Sequence, residues 1–132
     1  MLDGLRNLPL ESSAVFEADE RNIAAAESYV RRALEALLDL GRHVLAKGFG
    51  RAPTEYKEIA DGLIDAGVLD KERGRLLREM AGYRNRLVHF YDEVTRPELY
   101  QICTQRVRDV ETVMEAILSW IRADPSRTDG AV

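Results

Sequence analysis

The sequence predicts an all-α protein: an antiparallel bundle of four to five helices that dimerises. Two observations predict the helices. Apolar residues recur at steps of three and four along several separate stretches, and start and stop signals bracket each stretch. Little β-branched clustering competes with that pattern. At 132 residues the chain is one domain in size, long enough to bury a core without staples. Its 45% hydrophobic and 32% charged residues suit a globular protein.

Taken in order, residues 1–18 read as a partly helical lead-in, 19–122 as the bundle and 123–132 as a tail. Gly4 and Pro9 are breakers in a loose start, and Leu10 to Phe16 can form a short helical piece. Asp19 can cap the first long helix. Ile23, Ala26, Val30, Ala33, Leu34, Leu37, Leu40, Val44 and Leu45 form its apolar stripe, and Arg21, Glu27, Arg31, Glu35, Asp39 and Arg42 its polar face. Gly48 and Gly50 end it.

Thr54 suits the N-cap of the next helix, whose stripe is Tyr56, Ile59, Ala60, Leu63 and Ile64, with Gly67 as its stop. Asp70 can cap a third, with Leu76, Leu77, Met80, Leu87 and Val88 facing inward. Gly82 falls inside that pattern and predicts a kink or a helix end. Thr95-Arg96-Pro97-Glu98 is a strong start for the last helix: Thr95 caps, Glu98 reaches back three residues, and Pro97 sits where its missing N–H does no harm. Leu99, Cys103, Val107, Val110, Val113, Met114, Ile117, Leu118 and Ile121 carry that helix to a stop at Asp124-Pro125-Ser126.

A net charge of −4 and a pI of about 5.3 argue against a broad nucleic-acid-coating surface. The sign is uneven, however. Between Asp70 and Arg86 the bases Lys71, Arg73, Arg75, Arg78, Arg84 and Arg86 outnumber the acids Asp70, Glu72 and Glu79. Cys103 is the only cysteine, so no intrachain disulfide forms and a reducing compartment fits. No signal pattern opens the chain, and no apolar run approaches the roughly 18 residues of a membrane span. The expectation is a cytoplasmic protein with no membrane partner. No metal-ligand spacing occurs and no cofactor is called for.

The unusual chemistry collects between Met80 and Asp92. This stretch holds one of the two histidines, two arginines, an amide and two tyrosines. Arg84, His89 and Tyr91 make a compact set for handling a phosphodiester. The guanidinium can hold phosphate oxygens, the imidazole can move protons near neutral pH, and the phenol can donate a hydrogen bond. On a straight helix Arg84 and His89 point about 140° apart. Either the helix breaks near Gly82 or His89, or a second chain completes the pair. Cleaving RNA by its own 2′-hydroxyl needs both a base and an acid. One chain offers one histidine here, whereas two chains about a two-fold axis offer two His89 and two Arg84.

The run from Met80 to Tyr91 resembles the RxxxxHxY signature of HEPN-domain proteins, in the HepT-like toxin branch. The likeness extends from about Asp19 to Ile121, through Glu35 to Leu45, Tyr56 to Ile59, Ala66 to Leu69 and Glu98 to Ile102. The chain departs from that branch in its short start, where HepT-like proteins often carry a long first helix. The resemblance implies a homodimer with the motif in an interface cleft. It implies a metal-independent endoribonuclease, the toxin of a type VII toxin–antitoxin pair. The implied partners are an RNA substrate and an MntA-like nucleotidyltransferase antitoxin that transfers AMP to the motif tyrosine. Carried onto this sequence, Arg84 and His89 are the catalytic pair, Asn85 and Tyr91 support them, and Tyr91 is the AMPylation target.

Plainer readings stand beside these. Arg84 can pair with Glu79 or another surface acid, His89 can be a packing histidine, Asn85 a helix C-cap and Tyr91 a buried aromatic. Arg78 and Arg86 are candidates for RNA contact, or members of a solvated face with Arg73 and Arg75. His43, Tyr83, Phe90, Met114 and Trp120 read as structural, and Cys103 as a small buried hydrophobe. The alternative function is a non-catalytic HEPN module that presents a nucleotide or substrate to a nucleotidyltransferase.

Overall fold

A computed structural model describes residues 2–89 and 93–124. The predicted all-helical bundle is found. Helix α3, Glu20–Phe49, is its spine, and every other α-helix packs against it. Asp19 caps α3 by accepting from the Arg21 backbone N–H at 2.9 Å. The predicted stripe faces inward, with Ala26, Val30, Ala33, Leu34, Leu37, Val44 and Leu45 buried, and Leu38, outside that stripe, is buried beside them. Each such leucine contributes about 1.5–3 kcal/mol by leaving water. At the far end Gly50 takes a left-handed φ of 64°, which a glycine adopts freely. Gly48 lies within the helix, so only the second glycine ends it.

The lead-in is built into this core. Leu5 of α1 (Asp3–Arg6) and Phe16 of α2 (Ser13–Ala18) are both buried. Phe16 packs on the Tyr100 ring at 5.5 Å, and the Tyr100 hydroxyl donates to the Leu10 carbonyl at 2.6 Å.

Helix α4 spans Tyr56–Asp65. Here the N-cap differs from the sequence reading. Glu55 holds that position, while Thr54 donates its backbone N–H to the Glu58 carboxylate at 3.1 Å. A Schellman turn closes α4 around Gly67, at φ 79°, with Val68 N–H on the Leu63 carbonyl and Gly67 N–H on that of Ile64.

Helix α5 runs Lys71–His89, with Asp70 accepting from the Arg73 backbone N–H at 2.8 Å. It is helical throughout, so it does not end at Gly82. A lone glycine costs only about 1 kcal/mol in a helix, and Leu77, Met80, Ala81 and Leu87 bury themselves on either side of it. Thr95 caps α6 (Arg96–Gln101) as predicted. Glu98 does not reach back to close a capping box: its carboxylate goes across to Arg86 at 2.5 Å. A charged partner outbids a neutral backbone donor there.

The last helix is also not a single α-helix. A π-turn, Ile102–Arg106, joins α6 to α7, Val107–Ala123. Its wider turn shifts the register, so Val107 is only half-buried while Val110, Val113 and Ile117 are buried. It also aims Arg106 at Glu79 and over the Tyr83 ring. Cys103 is buried as expected, which pushes its thiol pKa up to about 12. The tail from 125 onward lies outside the described residues.

Candidate active site

The second half of α5 presents Arg84 to a crossing of α3 and the start of α4. Its Nε lies 3.4 Å from Glu35 Oε1, its guanidinium carbon 4.6 Å from the Tyr56 ring centroid, and its Nη1 donates to Asn85 Oδ1 at 3.3 Å. Arg84 therefore has Glu35 for its ion-pair partner. Glu79 pairs instead with Arg75 and Arg106. The Arg84 side chain is 19% exposed, enough to reach a ligand while its stem stays packed.

Arg84 and Asn85 line an open cleft of about 560 Å³ with Arg42, Thr54, Glu55, Tyr56 and Lys57. Arg42 approaches the Tyr56 ring as well, at 5.1 Å, and pairs with Asp39 at 3.2 Å. Two guanidiniums thus share one aromatic ring, each with a carboxylate behind it. Such a ring fixes the guanidinium plane and leaves N–H edges for an anion.

His89 is the last residue of α5 and is exposed. The unbroken helix sets it about 140° around from Arg84, and it is not among the residues lining the Arg84 cleft. Tyr91, with Phe90, lies outside the described residues. Arg86 bonds Glu98 of α6 and the Glu93 carbonyl that precedes that helix. The Glu98 carboxylate raises its already high pKa. Arg78 pairs with Asp61 of α4 at 2.7 Å. The structure therefore brings Arg84 and Asn85 into one cleft and leaves His89, Arg78 and Arg86 outside its lining.

Sequence reasoning assigned Tyr56 to the core and Glu35 and Arg42 to a solvated face. All three surround Arg84. Glu35 and Arg42 are seven apart and so share a side of α3. Tyr56 comes two residues after the breaker Ala52-Pro53-Thr54, as the first residue of α4, a position at a helix mouth where a ring faces a cleft.

Among the described residues no group of His, Cys, Asp and Glu is arranged to hold a metal ion, and no helix is long and apolar enough to cross a membrane. The family model described as Ribonuclease HepT-like matches residues 4–117. This chain belongs to the HepT-like family.

The match reaches back through α1 and α2, well before Asp19, so the HepT-like fold of this protein includes the short start. No curated protein matches the chain. Solved structures share its fold. One is the tri-AMPylated HEPN toxin of Shewanella oneidensis in complex with MNT antitoxin, 18% identical, at a TM-score of 0.80 over 89% of this chain and 88% of that one. A toxin–antitoxin solved with AMP-PNP is 17% identical, at 0.79 over 88% of each chain. The cytosolic protein YutE of Bacillus subtilis is 23% identical, at 0.68 over 93% and 90%. At these identities the likeness speaks for the fold of this HepT-like chain.

Proposed function

We propose that this chain is the toxin of a type VII toxin–antitoxin system, a cytoplasmic, metal-independent endoribonuclease that works as a homodimer. The observation that carries this reading is the geometry of α5. Arg84 is held in a polar cleft by Glu35 and Tyr56, on an unbroken helix that turns His89 away from it. A second copy about a two-fold axis supplies what one copy lacks.

In the resulting cleft His89 takes the RNA 2′-hydroxyl proton, and the 2′-oxygen attacks the adjacent phosphorus. The two Arg84 guanidiniums hold the charge that builds on the phosphorane oxygens. The 5′-oxygen leaves with a proton from the partner's His89 or from Tyr91. The products are a 2′,3′-cyclic phosphate and a 5′-hydroxyl. An MntA-like nucleotidyltransferase silences the site by adding AMP to Tyr91, which brings bulk and negative charge to the place where RNA phosphate approaches. The complexed, AMPylated toxin among the structural neighbours supports this part of the reading.

The test is structured RNA in EDTA with the purified chain, beside Arg84→Ala and His89→Ala. The parent should cut and leave cyclic phosphate ends, and each variant should lose at least about 10²-fold. Activity retained in either variant overturns the assignment. A parent shown by mass to be unmodified, which binds RNA and never cuts it, is instead the non-catalytic module. Intact mass after co-expression with the antitoxin should show AMP units on Tyr91.

A further inference from the structure

The cleft beside Arg84 holds more cationic groups than one scissile phosphate needs. Arg42 and Arg84 approach the Tyr56 ring at 5.1 and 4.6 Å, and exposed Lys57 lines the same cleft. Holding two like charges on one ring is unfavourable unless anions offset them. Glu35 and Asp39 do so from behind, through α3. On the open side Glu55 is the one carboxylate in the lining, against three cations, and among the described ion pairs it holds none of them; the cleft's volume of about 560 Å³ suits a nucleotide unit. With the ring in contact with two guanidiniums, the cleft is built for phosphate oxygens more than for a stacked base.

We propose that Arg42, Tyr56 and Lys57 form a subsite for the phosphodiester next to the scissile one, so that the enzyme grips two consecutive phosphates of a single strand. This rests on the reading of Arg84 as the residue at the scissile phosphate. Tyr56 is a positioning residue in this scheme: its ring sets the planes of both guanidiniums. Arg42 and Lys57 make the contact. The occupant is a strand of RNA. A free nucleoside monophosphate, with its single phosphate group, would span only one of the two positions.

The experiment is fluorescence anisotropy of a 2′-O-methyl RNA oligonucleotide, which cannot be cut, titrated in EDTA over a range of salt. The variants are Arg42→Ala, Tyr56→Leu, Tyr56→Phe and, as a charge control on exposed α7, Arg108→Ala. Far-UV circular dichroism checks that each folds. Arg42→Ala should weaken binding roughly tenfold and shrink the salt slope by about 0.7, the value for one lost phosphate contact on a single strand. Tyr56→Leu should weaken it comparably, while Tyr56→Phe, which keeps the ring, should bind like the parent. AMP, displaced against the same probe, should lose little affinity to Arg42→Ala.

An Arg42→Ala affinity equal to the parent's overturns the subsite, as does an equal loss in Arg108→Ala, which would mean diffuse charge. An equal loss for AMP makes the ligand a free nucleotide and overturns the strand. If the parent binds and the variants weaken as stated but no protein cuts RNA, the nuclease reading fails and the phosphate grip stands.

Discussion

Arg84 Nε and Glu35 Oε1 sit 3.4 Å apart, both shut off from solvent, and neither makes a hydrogen bond. The link is therefore electrostatic and not directional. Arg31 shares the same carboxylate at 3.7 Å. An arginine held this way stays charged and localised, yet its remaining N–H groups are uncommitted to Glu35.

Glu35→Gln tests that link. It keeps the side-chain volume and removes the charge. A half-buried pair lies between the exposed case, worth under about 1 kcal/mol, and the fully buried one. We expect a loss of about 1 kcal/mol, or about 4 °C in Tm for a chain of this size. Cleavage should fall at least tenfold because Arg84 loses its fixed place. A variant that melts and cuts like the parent would show that Tyr56 alone positions the arginine.

Two glycines on α5 should respond in opposite directions. A Cβ on Gly82 meets nothing within 4 Å, and its φ is ordinary for a helix. Gly82→Ala should stabilise by up to about 1 kcal/mol, raising Tm. A Cβ on Gly74 comes within 2.2 Å of Ile64 Cδ1 and 2.3 Å of its Cγ1. Gly74→Ala should cost about 1–3 kcal/mol by prising α4 from α5. Thermal melts of the pair check this. If Gly82→Ala melted lower or lost activity with its fold intact, the glycine would be a working hinge.

The bundle was legible because its signals are local. Asp19, Asp70 and Thr95 cap where the sequence places them, and the apolar stripes need only periodicity. The failures were contests between local and distant partners. Glu98 could bond its own helix start, and Arg86, twelve residues away, took it instead. Gly82 weakens a helix locally, but buried neighbours on both sides override it. The π-turn at Ile102–Arg106 leaves no residue pattern, since it changes phase and not composition. The motif pointed to Arg84 and Asn85. It could not point to Glu35, Arg42 and Tyr56, which reach Arg84 only through the crossing of α3 and α4.

Acid should weaken the starts of α3 and α5. The Arg73 backbone N–H bonded to Asp70 holds that carboxyl below its ordinary value. Arg21 does the same for Asp19, chiefly through its side chain, and Arg75 for Glu72. For a lowered pKa the stabilisation is present above the unfolded value, near 4, and is lost as pH falls through the folded one. Tm should be level from about pH 7 to 5 and decline below about pH 4. Asp70→Asn keeps a capping oxygen and should flatten that decline. A Tm that fell already between pH 7 and 5 would assign the acid sensitivity to other groups.

Cys103 offers a probe of the π-turn. Only 4% of the residue is exposed, and burial lifts its thiol to about 12. At pH 8 the thiolate fraction is then on the order of 10⁻⁴, and the thiolate is the form that reacts. Iodoacetamide should leave the native protein unlabelled for hours and label it fully in denaturant. The informative range lies between. Cys103 packs in the same cluster as Leu99, Ile102 and Val113, so labelling should rise with urea in step with the loss of helical signal. Labelling that begins well before that loss would mean that the π-turn opens on its own. It would then be a separate, weaker unit, joining α6 to an α7 that stays folded.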